Sequence, residues 1–249
     1  MTQSGSAKTP EWTRPTPLSA AVFVAKTRLH QTRRSLSDLV AGLQTHGFAT
    51  SDDLTLVLAQ SRTPLRSDMR PEERPYQNGK VENLRKAARR LNDLCVPAGQ
   101  AFSFWRQVGP PTQARGFVIG RMLQQGCIVA SIGGGLCQLS NALYQVARDG
   151  GCEIIERHRH SRLVPGSDAA NDADATVAWN YVDLRFKPRQ DVRLEVRIEG
   201  DFLVVRLIGS TAPSVAVAYD HAIPVPPVAR TCATCDEVDC NRHEGEAEA

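Results

Sequence analysis

From Val182 to Ile208 hydrophobic residues fall on every second place for long stretches. Val182, Leu184 and Phe186 alternate with Asp183 and Arg185; Val192, Leu194, Val196 and Ile198 alternate with Arg193, Glu195, Arg197 and Glu199. Side chains of an extended chain point to opposite faces in turn, so this period is that of strands buried on one side. Gly200-Asp201 supplies a tight turn into a further strand over 202–208. Such a segment must form an antiparallel sheet, and its inner face needs an apolar partner.

Helical patterns precede it. Over 18–46, Val22, Leu29, Leu36, Leu39, Val40 and Leu43 recur at helical spacing, with Ser19 as N-cap and Gly47 as stop. Over 80–94, Val81, Leu84, Ala88 and Leu91 share a face, and another helix runs from Leu136 to Gly150-Gly151. Further strands are expected over 53–60, 152–160 and 175–179. Helices first and an antiparallel sheet after define an α+β fold. The organisation expected is a flexible lead over 1–17, an N-terminal helical docking region over 18–79, a core domain over 80–212, and a proline-rich link with a cysteine-rich tail over 213–249.

A net charge of +3 does not select a partner. The 18–46 helix is basic, carrying Lys26, Arg28, Arg33 and Arg34, and reads as a docking helix with a solvated face. Without interleaved aromatic residues it gives no specific nucleic-acid signal. The opening residues are polar and broken by prolines, unlike an export signal, and no transmembrane segment is expected. A cytoplasmic location is therefore the expectation, and seven cysteines, an odd number, suit reduced thiols and metal better than disulfides.

Gly133, Gly134 and Gly135 stand directly before the helix that starts at Leu136. Glycines there let a ligand approach main-chain N–H groups, and the helix terminus favours negative charge. Cys137 is thus placed where a thiol ionises readily. On a helical wheel Leu136, Leu139, Leu143, Val146 and Ala147 form the buried stripe, and Cys137 falls about 130° from its centre. Downstream, His158 and His160 are candidates for the base and Asp174 for the residue that orients it. Cysteine on a helix, then histidine, then acid is the chain order of papain-like and transglutaminase-like folds. The N–H groups of Cys137 and Gln138 are the expected oxyanion donors. Gly133–Gly135, Gln138 and Arg115 are the expected substrate-binding residues, while Phe102, Phe104 and Trp105 are expected in the core.

Cys232-x2-Cys235-x4-Cys240-x2-His243 places four soft ligands within twelve residues. Zinc is the preferred occupant of this set. An iron–sulfur cluster is the alternative, with a fourth ligand from Cys95, Cys127, Cys152 or a substrate.

Together the segments around Asn83-Leu84, 97–104, Val108-Gly109-Pro110, Arg115-Gly116-Phe117, 133–144, 157–161, 174–177 and 183–186 resemble the VanW family. That family takes its name from an accessory protein of glycopeptide-antibiotic resistance clusters. The resemblance implies an association with peptidoglycan or cell-envelope chemistry. It spans roughly residues 80–209, about half the chain. Three functions follow as expectations. The first is a cysteine-dependent acyl-transfer or amide-hydrolysing enzyme acting on an envelope precursor or peptide. The second is a metal-dependent enzyme using the C-terminal cluster. The third is a non-catalytic binding or scaffold protein.

Overall fold

A computed structural model describes residues 17–48, 53–66, 70–124, 127–160, 173–212 and 230–231. Its centre is the expected antiparallel sheet. The strands β1 (Leu56–Pro64), β2 (Leu94–Val96), β8 (Val192–Glu199) and β9 (Phe202–Gly209) are ordered β1-β9-β8-β2. Register follows the hairpin: Glu199 opposes Phe202 and Arg193 opposes Ile208. Leu194, Val196, Leu203, Val205 and Leu207 are buried, while Arg206 on the other face meets Gln60 and Glu195. The alternation read from the sequence is therefore the inside and outside of one sheet.

Two helices cover the apolar face. The first, α2 (Arg74–Leu91), packs on β8, and α4 (Leu136–Asp149) packs on β1 and β9, with the two helices in contact. Leu84, Leu91, Leu139, Leu143, Val146 and Ala147 are buried between them and the sheet. A three-stranded sheet joins β3 (Phe102–Ser103), β7 (Arg185–Lys187) and β6 (Glu153–Glu156). Phe102 and Phe186 stack across it at 4.5 Å between ring centroids, and Phe104 and Trp105 in the short helix α3 (Phe104–Val108) are buried beside them. These aromatic residues are core, as expected.

The third sheet was not read from the sequence. β4 (Ile119–Gln124) and β5 (Cys127–Ile132) form a hairpin that leads straight into the glycine run, and β10 (Arg230–Thr231) pairs in parallel with β5. Glycines at 120 and 126 break the hydrophobic alternation here, and Gly120 has a structural purpose described below.

Other boundaries also move. Helix α1 spans Pro17–Val40, so Ser19 lies inside it, and the chain turns at Gly42, with φ of 62°, well before Gly47. The strand expected over 53–60 is β1 at Leu56–Pro64, and the helix expected at Lys80 starts at Arg74. The strand expected over 152–160 ends at Glu156, and residues 175–179 hold only an isolated bridge from Ala178 to Val182. Both segments leave the sheet to bond to each other and to α4.

α1 is turned inside out relative to an ordinary surface helix. Its polar side faces the protein: Arg34 is held by Glu156, Asp38 takes a two-pronged bond from Arg185 at 2.7 and 2.8 Å, and Gln31 donates to the Trp179 carbonyl at 2.5 Å. Leu18, Leu29, Leu36, Leu39 and Val40 face outward. The face expected to be solvated is the docked one. No helix among the described residues is long and apolar enough to cross a membrane.

Candidate active site

The glycine run is shaped by two close contacts. Gly134 lies on the β4 backbone, where a Cβ would stand 2.3 Å from the carbonyl carbon and oxygen of Gly120. Gly135, with φ of 98°, is the N-cap of α4, and only a residue without a side chain adopts that conformation freely. Asn83 of α2 fastens the arrangement. Its amide donates to the carbonyls of Val118 and Gly134 at 2.9 and 3.0 Å, and its oxygen accepts the Val118 N–H at 2.9 Å.

This turn starts α4 and sets Cys137 in its first turn, partly buried beside the core. An α-helix cannot bond its first N–H groups internally. One of the two expected oxyanion donors, the Gln138 N–H, bends back to Gly135 O at 3.1 Å and is therefore engaged within the turn.

The next turns of α4 hold the segment that carries the acid. Asn141 Oδ1 accepts the Ala175 N–H at 2.7 Å, and Ser140 Oγ donates to the Ala175 carbonyl. Across from it, Thr176 N–H donates to His158 O at 2.8 Å and Arg157 Nε donates to Asp174 O at 2.7 Å. Residues 157–160 and 173–177 thus run side by side over the mouth of α4. The Cys137 thiol donates to Val177 O at 3.7 Å and lies 3.6 Å from Thr176 Oγ1.

His160 completes the group. Its Nδ1 bonds to Asp174 Oδ1, and its backbone N–H donates to Asp174 Oδ2 at 2.7 Å. Asp174 is only 2% exposed, so both oxygens are committed to fixing this ring. His160 also lies close enough to Cys137 for its hydrogen bonding and charge to bear on the thiol. The electrostatics follow. Burial disfavours ionisation of Cys137, but the hydrogen bond and charge of His160 outweigh it and bring the thiol below its ordinary 9.0. Burial likewise disfavours imidazolium, yet the bonds and charges of Asp174 and Cys137 raise His160 to about 10. His160 is thus held as imidazolium at neutral pH, and the thiol beside it ionises more readily than an ordinary cysteine.

Other expected site residues are placed elsewhere. His158 is half exposed, with Nε2 3.0 Å from Glu156 Oε1, and has no bond to Cys137. Arg115 donates to Val108 O at 3.2 Å and lies against Gly109, so its guanidinium closes the loop after α3. The Gln138 side chain donates to Thr63 Oγ1 and Pro64 O of β1, both at 2.8 Å. Cys152 is buried and pushed up to about 12, which makes it inert. Cys232, Cys235, Cys240 and His243 lie outside the described residues. Among the described residues no group of three or more His, Cys, Asp or Glu side chains is placed to hold a metal. Sequence reasoning gave Asn83, Ser140 and Thr176 no role in the site, although all three fall in the segments that carry the family resemblance. Polar residues set into otherwise apolar helix faces, as Asn83 and Ser140 are, were the available signal.

An α+β core whose helix mouth presents a cysteine to a histidine and a buried acid defines the class of this molecule. It belongs to the VanW family, whose model, described as VanW like protein, matches residues 79–208. The chain is 33% identical over 129 residues to the Vancomycin B-type resistance protein VanW of Enterococcus faecalis, covering 51% of this chain and 47% of that protein. It is 28% identical over 130 residues to the uncharacterized protein YoaR of Bacillus subtilis, covering 51% of this chain and 42% of that one. The chain therefore spans less than half the length of these relatives. No solved structure matches it. His160 sits outside the strand expected over 152–160, which ends at Glu156. The comparison with papain-like and transglutaminase-like folds rests on the sequence order of cysteine, histidine and acid alone.

Proposed function

We propose that this chain is a cysteine-dependent enzyme of acyl transfer or amide hydrolysis, acting on a cell-envelope precursor or peptide. The observation that supports it is His160 bonded to the buried Asp174 and near enough to Cys137 for its charge to lower the thiol. The Cys137 thiolate attacks the carbonyl carbon, and the resulting oxyanion is met by the N–H group of Cys137. The His160 imidazolium passes its proton to the departing amine as the C–N bond breaks, leaving a thioester on Cys137. Neutral His160 then takes a proton from water or from an acceptor amine, which displaces the sulfur. Asp174 holds the ring in the orientation that both steps need. The envelope as the source of substrate is supported by the enterococcal relative, which is named for vancomycin resistance.

Iodoacetamide labelling resolved by peptide mass mapping tests the reading. Cys137 is expected to react at a pH below the value of about 8.5 at which a free cysteine ionises, with Cys152 silent. Uniform labelling of the accessible cysteines, Cys137 included, with one ordinary pH profile would remove the nucleophile and leave a binding protein in its place.

A further inference from the structure

Behind the glycine turn, α2 presents charge that the chemistry above does not use. Lys80 is only 9% exposed. Its stem lies on Gly135, whose missing Cβ would stand 2.3 Å from Lys80 Cγ. One turn earlier Gln77 is 1% exposed, and neither its amide nitrogen nor its oxygen has a hydrogen-bond partner. From β4, Arg121 comes close enough for its charge to bear on Lys80, and its Nε is 3.2 Å from Glu73 Oε2. From α4, Gln138 keeps a buried Oε1 without a partner.

Buried polar groups are normally satisfied, and a buried ammonium is stable only when paired. Among the described residues no carboxylate pairs with Lys80, since Glu73 is turned to Arg121. Burial and the Arg121 charge lower Lys80 to about 8, as expected for a cation without a counter-ion. A ligand oxyanion would supply what is missing, taking one bond from the ammonium and one from the Gln77 amide. The position also matters. Lys80 and Cys137 flank one glycine turn, so a group held by Lys80 belongs to a molecule that extends toward the sulfur.

We infer that Lys80, Gln77 and Arg121 form an oxyanion subsite beside Cys137, which holds a carboxylate or phosphate group of the acyl substrate. The word substrate rests on the proposed nucleophile; the binding of the anion does not.

Titration calorimetry of the full chain near pH 8 tests it, with acetate and inorganic phosphate as probes, in two buffers of different ionisation heat. One probe is expected to bind in the millimolar range with proton uptake, because an anion beside Lys80 favours its charged form, with Arg121 and Glu73 as the charged neighbours facing it. Stronger binding of acetate assigns the group as a carboxylate, and of phosphate as a phosphoryl group. Lys80→Met keeps the stem on Gly135 and is expected to weaken binding at least about tenfold and abolish the uptake. Lys80→Arg, which keeps the charge, retains binding. No binding of either probe up to about 50 mM, or binding unchanged in Lys80→Met, overturns the subsite. Cys137→Ser separates the two readings: anion binding that persists in it, together with an unreactive Cys137 in the parent protein, leaves the subsite standing and removes the nucleophile.

Discussion

Asn83 ties α2 to both the β4 hairpin and the glycine turn, so Asn83→Ala tests how the site is held. The substitution removes the Asn83 bond from three backbone groups, Gly134 C=O, Val118 N–H and Val118 C=O, the last of which keeps the Gly133 N–H at 3.0 Å. Gly134 C=O is buried, and leaving it unpaired costs about 1–3 kcal/mol. The Val118 groups lie beside an exposed side chain and recover water, so each loses only the net worth of a bond, about 0.5–1.5 kcal/mol. The total is about 4 kcal/mol, which with a urea slope of about 2 kcal/mol per molar moves the unfolding midpoint down by about 2 M. Tryptophan fluorescence reads this directly, since Trp105 is buried in the core and packs against Trp179. Asn83→Asp should be no milder than the alanine variant. Its carboxylate accepts the Val118 N–H but cannot donate, and it faces two carbonyl oxygens. A loss under about 1 kcal/mol in the alanine variant, or an aspartate variant as stable as the parent, would refute the reasoning.

Removing the imidazole with His160→Ala leaves burial as the dominant influence on Cys137, so its alkylation at pH 7 should fall about tenfold or more, read by iodoacetamide kinetics. The pair also fixes the pH dependence of stability. Above 6.5 the unfolded chain has lost the histidine proton that the folded protein keeps, so stability falls as pH rises for as long as folded Cys137 still holds its own proton. It levels once folded Cys137 ionises, then falls again from 9.0 to about 10, where folded His160 gives up its proton. Chemical denaturation across that range should show the fall from 9.0 to about 10, and in His160→Ala the pair's contribution should be flat below 9.0, because only the buried thiol remains to titrate. Gly134→Ala forces a Cβ to 2.3 Å from the Gly120 backbone and should prevent folding of the turn. Gly200→Ala, with φ of 59° and open space around it, should cost only about 1 kcal/mol, and thermal melts compare the two. Zinc held by Cys232, Cys235, Cys240 and His243 is our proposal for the tail. Metal analysis of anaerobically purified protein is expected to find one zinc per chain, lost in Cys235→Ser, and iron with visible absorbance would replace that assignment.

The long hairpin and the helix after the glycine run were legible because their patterns are local. Alternation over 192–208 and the stripe through Leu139 and Leu143 each need one burial direction and no knowledge of partners. Cys137 and its downstream histidine and acid could be named for a similar reason: residue types with few structural uses stood at a helix mouth and just after it. The choice between His158 and His160 was not legible. It depends on where the chain leaves β6, and the bonds of the 157–160 segment to 173–177 decide that. Residues 119–132 escaped because their strands tolerate glycine for the sake of a close backbone contact, which erases the alternation. Lys80 and Gln77 escaped because they extend the buried face of α2 with polar residues, so the face is visible only once the turn against it is known.

The inverted seating of α1 has its own consequence. A helix that packs through leucines is gripped more tightly in concentrated salt, whereas one gripped through Arg34–Glu156 and Asp38–Arg185, pairs largely shielded from solvent and its ions, depends on the charge state of those groups. The latch on this 24-residue element is therefore charge and not hydrophobic burial, and neutralising either carboxylate opens it separately from whatever melts the core. One jaw of that latch, Glu156, also holds His158, two residues before the proposed base. Loosening α1 would be felt first at the strand that leads into the site.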